Sequence, residues 1–219
     1  MVKISIAQRV LAVNDDVAAE IHAQLARRSI RCINMMSSAG AGKTSLLEES
    51  IRRLRGRLAV GVIEGDIETT ADAERIAAAG GESVQIVTRG NCHLEATMVR
   101  DALSQLDLDR IDLLVIENIG NLVCPAEWKL GEDVKVVVAS TTEGDDKPAK
   151  YPQMFAASQV MVVNKIDLLP YVSYDLQRVK EFASRVNPAL KFFELSCRTG
   201  EGMDAWCDWL VDFAAGGKD

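Results

Sequence analysis

The chain has 219 residues, 48% hydrophobic and 26% charged, an ordinary globular composition and length enough for one domain with a full α/β core. Thirty-two acids against 25 bases give a net charge of −7, which argues against a dedicated nucleic-acid surface or a patch for anionic membranes. No apolar run approaches the roughly 20 residues of a membrane span, Met1-Val2-Lys3-Ile4 does not open a signal peptide, and five cysteines, an odd number, fit a reducing compartment, so a cytoplasmic location is expected.

The first dozen residues alternate weakly (Val2, Ile4, Ile6) and read as a flexible lead or an edge strand. Asn14-Asp15-Asp16 can cap a helix from Val17 to Arg28, amphipathic through Ala18, Ile21 and Leu25. Apolar, β-branched runs follow at 33–36, 59–63, 84–87, 113–116, 134–139, 160–163 and 192–195. Helical patterns lie between them at 43–55, 70–79, 93–106, 147–156, 174–185 and 203–213. Strands that are apolar on both faces and alternate with helices predict an α/β fold, a mostly parallel seven-stranded sheet with helices on both faces. The division that follows is an N-terminal extension and helix (residues 1–30) packed on the main domain (31–214), with a disordered tail (215–219).

The first strand runs into Ser37-Ser38-Ala39-Gly40-Ala41-Gly42-Lys43-Thr44-Ser45, a tight small-residue turn followed by a helix. Backbone N–H groups of residues 38–45 can cradle phosphates at a helix N-terminus, Lys43 can reach the β- and γ-phosphates, and Thr44 can offer its hydroxyl to Mg²⁺. Ser37 stands where the P-loop pattern has its first glycine, which matters little if that residue needs no positive φ. An ordinary Gly-rich turn does not explain Gly-Lys-Thr at the helix start.

Asn164-Lys165-Ile166-Asp167 closes a buried strand. A carboxylate at Asp167 can accept from guanine N1–H and the exocyclic amine, donors adenine lacks there, so the motif selects GTP and GDP. Lys165 can lie along the base and Asn164 can brace the loop; taken alone, the quartet could also be a turn with a capping Asp. Ser196, Cys197 and Arg198 follow the last strand where guanine nucleotide-binding proteins touch the base with backbone. Asp66 follows the second strand at the carboxyl end of the sheet and Glu117 ends a further buried strand, both near the phosphates. With Thr44 they form the candidate Mg²⁺ set, and Glu rather than Asp at 117 suggests contact through water. Gly120 supplies an N–H near the γ-phosphate. Lys43, Asp66, Glu117 and Gly120 are the expected catalytic group, with Asp66 positioning the attacking water. Asp72 is a second candidate for that role, or simply complements the dipole of its helix.

Cys92 and His93 open a helix in this reading, where the dipole would favour thiolate, and Cys124 follows four residues after Gly120. Thiolate and imidazole suit Ni²⁺, Zn²⁺ or Cu rather than Mg²⁺ or Ca²⁺. The same Cys-His pair could also be a packed thiol beside a surface histidine. Three ligands from one chain are few for a closed site, so completion across a two-fold axis is attractive. Cys32 and Cys207 read as core residues, and His22 as a surface residue without a visible partner.

With these residues in view, the chain resembles the hydrogenase nickel-incorporation GTPases of the HypB family from about Asp16 to Phe213. The carrying stretches are residues 37–44, 64–69, 90–96, 117–125, 142–148 with 150–152, and 164–167. The resemblance makes Ser37 ordinary. It implies a GTPase that forms a GTP-promoted homodimer, binds nickel (or zinc at the same site) through Cys92, His93 and Cys124, and serves insertion of nickel into [NiFe]-hydrogenase. It further implies the metallochaperone HypA and the hydrogenase large subunit as partners. Some members carry an N-terminal Cys-x-x-Cys-Gly-Cys site or a His-rich tract, and neither occurs in these 219 residues, which hold two histidines. A urease-type accessory GTPase is the nearest alternative, although its metal motif is Cys-x-His and here Cys92 and His93 are adjacent. A nickel or zinc store is the alternative from another class. Slow intrinsic turnover is expected, since no glutamine follows Gly120 and no arginine finger is evident.

Overall fold

The computed structural model describes residues 6–66 and 71–216. In chain order the elements are α1 (Ile6–Ala26), β1 (Arg31–Ser37), α2 (Lys43–Leu54), β2 (Val60–Asp66), α3 (Ala71–Ala79), β3 (Glu82–Val87), α4 (Ala96–Leu103), β4 (Leu113–Gly120), β5 (Val134–Ser140), α5 (Lys147–Lys150), α6 (Pro152–Ala157), β6 (Val160–Asn164), α7 (Leu176–Val186), β7 (Lys191–Glu194) and α8 (Met203–Ala214). Short 3₁₀ turns cover Leu108–Arg110, Cys124–Ala126 and Ile166–Tyr171.

The strands form one seven-stranded sheet in the order β3-β2-β4-β1-β5-β6-β7. Every neighbouring pair is parallel. The expected alternation of buried strand and covering helix is what such a sheet requires, because both faces must be shielded from water. Ile33, Met35, Val62, Val115 and Val136 pack on one face with Leu46, Ile51, Trp206 and Leu210, so α2 and α8 cover it. Cys32, Ile63 and Ile116 pack on the other with Ile21, Leu25, Val99 and Leu103 of α1 and α4. Farther along that face Met36, Val137 and Val163 meet Phe155 and Val179 of α6 and α7. β1 lies between β4 and β5, so the strand order reverses at its carboxyl end, the place where ligands bind open α/β sheets. No helix among the described residues is long and apolar enough to cross a membrane.

Several boundaries differ from the sequence expectation. From Ile6 onward the chain is helical, so the lead or edge strand is not formed there; residues 1–5 lie outside the described residues, as do 217–219 of the expected tail. Asn14 does not cap a helix, because it lies inside α1 with its side chain engaged elsewhere. The helix expected from His93 begins at Ala96, leaving Cys92 and His93 in the preceding loop. The helix expected over 147–156 is two pieces, since Pro152 has no N–H and disfavours the helical conformation at Tyr151, where φ is −126°. The expected start of α3 at Thr70 lies outside the described residues.

Candidate functional site

The turn after β1 is shaped by Gly40 and Gly42, at φ +77° and +99°, and Lys43 and Thr44 begin α2 with buried side chains. Ser37 is the buried last residue of β1 and does not have a positive φ. Its hydroxyl accepts from Lys43 Nζ at 3.0 Å, so this serine steers the lysine instead of opening the turn. A Cβ on Gly42 would stand 2.5 Å from Asn164 Nδ2, which explains glycine there. Asn164 Nδ2 donates to the Ala41 carbonyl at 3.1 Å, and Lys165 Nζ donates to the Gly40 carbonyl at 2.7 Å. Ser38 Oγ donates to Glu143, whose other oxygen accepts from Ser140 N at 3.0 Å. The turn is therefore held from the carboxyl ends of β5 and β6, the next two strands on one side of β1.

Two adjoining cavities share Gly42, Ser45 and Lys165. The first, about 460 Å³, is lined by the turn, Asp66, Asp72, Arg75, Glu117 and Gly120. The second, about 380 Å³, is lined by Asn164, Lys165, Asp167, Ser196, Cys197 and Arg198. One is polar and ringed by N–H groups at a helix N-terminus; the other is set by the Asn-Lys-x-Asp residues expected to read guanine. Asp167 Oδ1 accepts from Ser196 Oγ at 2.6 Å, and Asn164 Oδ1 accepts from Cys197 N at 3.4 Å, so the loop after β7 is tied to the one after β6. Burial pushes the Cys197 thiol up to about 11, keeping it neutral beside the second cavity.

At the phosphate end, Thr44 Oγ1 donates to Glu117 Oε1 at 2.9 Å and Lys43 Nζ lies 3.8 Å from the same oxygen. The second oxygen, Glu117 Oε2, is buried with no hydrogen-bond partner. A hydroxyl and a carboxylate oxygen so placed, with one orphaned oxygen, fit the oxygen donors Mg²⁺ takes beside phosphates. Glu64 is the next residue across the sheet, paired in register with Glu117. Burial, then the neighbouring Glu117, pushes the Glu64 carboxyl up to about 10, and burial likewise raises Glu117 against the opposing charge of Lys43. Two carboxylates at adjacent buried positions do not both ionise readily. Asp72 is engaged with Arg75 Nη1 at 3.0 Å, and Arg75 Nη2 reaches Ser45 Oγ at 3.2 Å, so an arginine stands at the rim of the phosphate cavity.

The third group lies beyond Gly120. Cys92, His93 and Cys124 come together with one candidate ligand atom each, all within 4.8 Å of one another. Cys92 Sγ is 2.8 Å from Cys124 Sγ and 3.6 Å from His93 Nδ1. The His93 ring stacks on Trp128 with centroids 4.3 Å apart, burial lowers its pKa, and its Nε2 is buried without a hydrogen-bond partner. The expected dipole activation of Cys92 is not found. Its helix starts four residues later, and the hydrogen bond with Cys124, then burial, raises this thiol instead. A Cys92 thiol so raised, in contact with Cys124, suits a site that takes up a soft cation with release of a proton.

Asn121, next after Gly120, donates to the Cys92 carbonyl at 3.3 Å and accepts from Val123 N at 2.8 Å. The turn that carries Cys124 is gathered by Lys135 on β5, whose buried Nζ donates to the Ala126 and Trp128 carbonyls at 2.8 and 3.0 Å. Cys32 and Cys207 are core residues as expected. His22 does have a partner, Asp133 Oδ1 at 3.4 Å, because α1 packs beside the loop that leads into β5.

Sequence reasoning missed Glu64, Arg75, Trp128, Lys135 and Glu143. Glu64 and Glu143 fall in stretches that carry the family resemblance, but what they touch depends on strands and loops far away in sequence. Trp128 lies four residues past Cys124, and no local pattern pairs it with His93.

The CobW/HypB/UreG nucleotide-binding domain matches residues 31–194. The hydrogenase maturation factor HypB of Escherichia coli strain K12 is 48% identical over 201 residues, covering 92% of this chain and 69% of that protein. Among solved structures, HypB from Archaeoglobus fulgidus superposes with a TM-score of 0.87 at 37% identity, covering 93% of this chain and 100% of the other. HypB from Helicobacter pylori, crystallised in complex with nickel, gives 0.88 at 34%, covering 92% and 95%. The chain belongs to the HypB family of hydrogenase maturation factors, within the CobW/HypB/UreG nucleotide-binding domains.

Proposed function

We propose that this chain is a GTPase whose turnover drives the handover of nickel during maturation of [NiFe]-hydrogenase. The observation that supports the reading best is the approach of two sites along one strand end: the phosphate cavity includes Gly120, and Cys124 of the Cys92–His93–Cys124 cluster lies four residues later. Membership of the HypB family and the nickel complex of the Helicobacter pylori relative point the same way.

Lys43, steered by Ser37, holds the β- and γ-phosphates, with backbone N–H groups of residues 38–45 around them. Asp167, Asn164 and Lys165 select guanine, supported by Ser196, Cys197 and Arg198. Asp66 orients the attacking water from the end of β2, and Gly120 offers its N–H to the γ-phosphate. Thr44, Glu117 and Asp66 would hold Mg²⁺, which when bound would neutralise charge on the transferred phosphoryl group. Turnover is slow, because among the described residues lining the phosphate cavity there is no glutamine and its one arginine, Arg75, is bound to Asp72 and Ser45.

Nickel is the cargo of Cys92, His93 and Cys124, and zinc is a competitor for the same donors. Three donors leave the coordination open, so a second copy of the chain completes it when GTP draws two protomers together. The metallochaperone HypA and the hydrogenase large subunit are the partners on either side of the transfer, in the cytoplasm. Purified protein tests the reading through GTP hydrolysis and nickel stoichiometry together. Lys43→Ala should abolish most turnover and keep nickel; Cys124→Ala should lose nickel and keep GTP affinity. Wild-type turnover in the first, or wild-type stoichiometry in the second, contradicts it.

A further inference from the structure

Asn14 stands in the middle of α1 with its side chain buried. Asparagine is a poor residue inside a helix, and burying its amide is unfavourable unless both ends find partners. Here both do. Oδ1 accepts from Ala96 N at 2.8 Å, and Nδ2 donates to the Lys129 carbonyl at 2.8 Å.

The two partners belong to the two segments that carry the metal ligands. Ala96 is the first residue of α4, three after His93, and its N–H is one of the groups a helix cannot satisfy internally. Glu95, at the cap position, gives no side-chain cap bond, so the cap comes from α1 instead. Lys129 follows Trp128, the ring stacked on His93, and lies five residues after Cys124. The neighbouring Asp15 reinforces the same link through Lys129 Nζ at 2.9 Å. A Cβ on Gly131 would collide with Ile21 and with the Ala18 carbonyl, so α1 lies tight against the end of this loop. The Asn14 amide hydrogen-bonds to both segments at once, to the residue that opens α4 after His93 and to the residue that follows Trp128.

We infer that Asn14 is a positioning residue for the Cys92–His93–Cys124 site, tying its two ligand-bearing segments into one geometry. The inference rests on the reading of those three residues as the nickel site. It also gives α1, which lies outside the matched residues 31–194, a share in the function.

The test uses the full chain and nickel(II), with affinity measured by chelator competition and the thiolate-to-nickel charge-transfer absorption recorded alongside. Asn14→Asp keeps an acceptor for Ala96 and loses the donor to Lys129. It should weaken nickel binding about tenfold or more and shift the absorption band, with GTP-analogue affinity unchanged. Asn14→Gln keeps both groups one methylene farther out and should give a smaller loss with a similar band shift. Wild-type nickel affinity and an unshifted band in both variants would overturn the inference, as would a parallel loss of nucleotide affinity, the mark of general unfolding. Cys92→Ser separates the two levels. If it loses nickel while the Asn14 variants do not, only the positioning role fails; if it binds nickel as wild type does, the site itself is wrong and this inference falls with it.

Discussion

Gly120 and Ala39 meet backbone against backbone: a Cβ built on Gly120 would stand 2.8 Å from Ala39 Cα and 2.9 Å from Ala39 N. Ala39 belongs to the phosphate-binding turn, and Gly120 ends the strand that leads to Cys124. The shape of the turn and the course of the metal-bearing segment are therefore set against each other. Gly120→Ala should push the two apart and lower the rate of GTP hydrolysis about tenfold or more. The preference for GTP over XTP should not change, because the base pocket lies on the other side of Lys165. Steady-state turnover with both nucleotides measures this; a wild-type rate would show that the contact is incidental.

The Glu64–Glu117 pair makes stability depend on pH. Glu64 is held near 10 in the fold and returns to its ordinary value of 4.5 when the chain unfolds. Between those values the native state binds the extra proton, so stability falls as pH rises, by at most about 1.4 kcal/mol per pH unit from this group. Glu64→Gln keeps the shape and removes the titration. Denaturant unfolding of nucleotide-free protein at pH 6 and at pH 8 should show a marked loss of stability in wild type and a smaller one in the variant. Equal slopes would mean that Glu64 is ionised in the fold.

Asp167 has its Oδ1 tethered to Ser196, which turns the carboxylate toward the base pocket. Asp167→Asn should reduce GTP affinity by one to two orders of magnitude, roughly the worth of a hydrogen bond to a charged group. XTP should gain relative to GTP, since an amide can donate to the xanthine oxygen. Competition binding of the two nucleotides reads the ratio, and an unchanged ratio would remove Asp167 from base recognition.

Much of the fold was legible because a parallel sheet covered on both faces writes itself as continuous apolar runs, as in Val134–Ser140 and Val160–Asn164. The turn at 37–45 and the string at 164–167 were legible as neighbours of one site because each is contiguous, and the structure sets them around two adjoining cavities. What failed was whatever depended on distant partners. Asn14 looks like a helix cap by its neighbours Asp15 and Asp16, yet Ala96 and Lys129 recruit it inside a helix. The apolar run before Glu64 suggests that β2 stops there, but pairing with β3 carries it on to Asp66. Cys92 and His93 look helical by position, yet they turn aside to meet Cys124 and Trp128.

The central claim is that the nucleotide state sets the hold on nickel. Coupling of this kind is reciprocal and typically changes affinity between about 5- and 150-fold. The direct measurement is titration of nickel into the protein loaded with GDP and into the protein loaded with a non-hydrolysable GTP analogue. The account predicts affinities that differ within that range, matched by an equal effect of nickel on analogue affinity. Equal nickel affinities in the two states would contradict it.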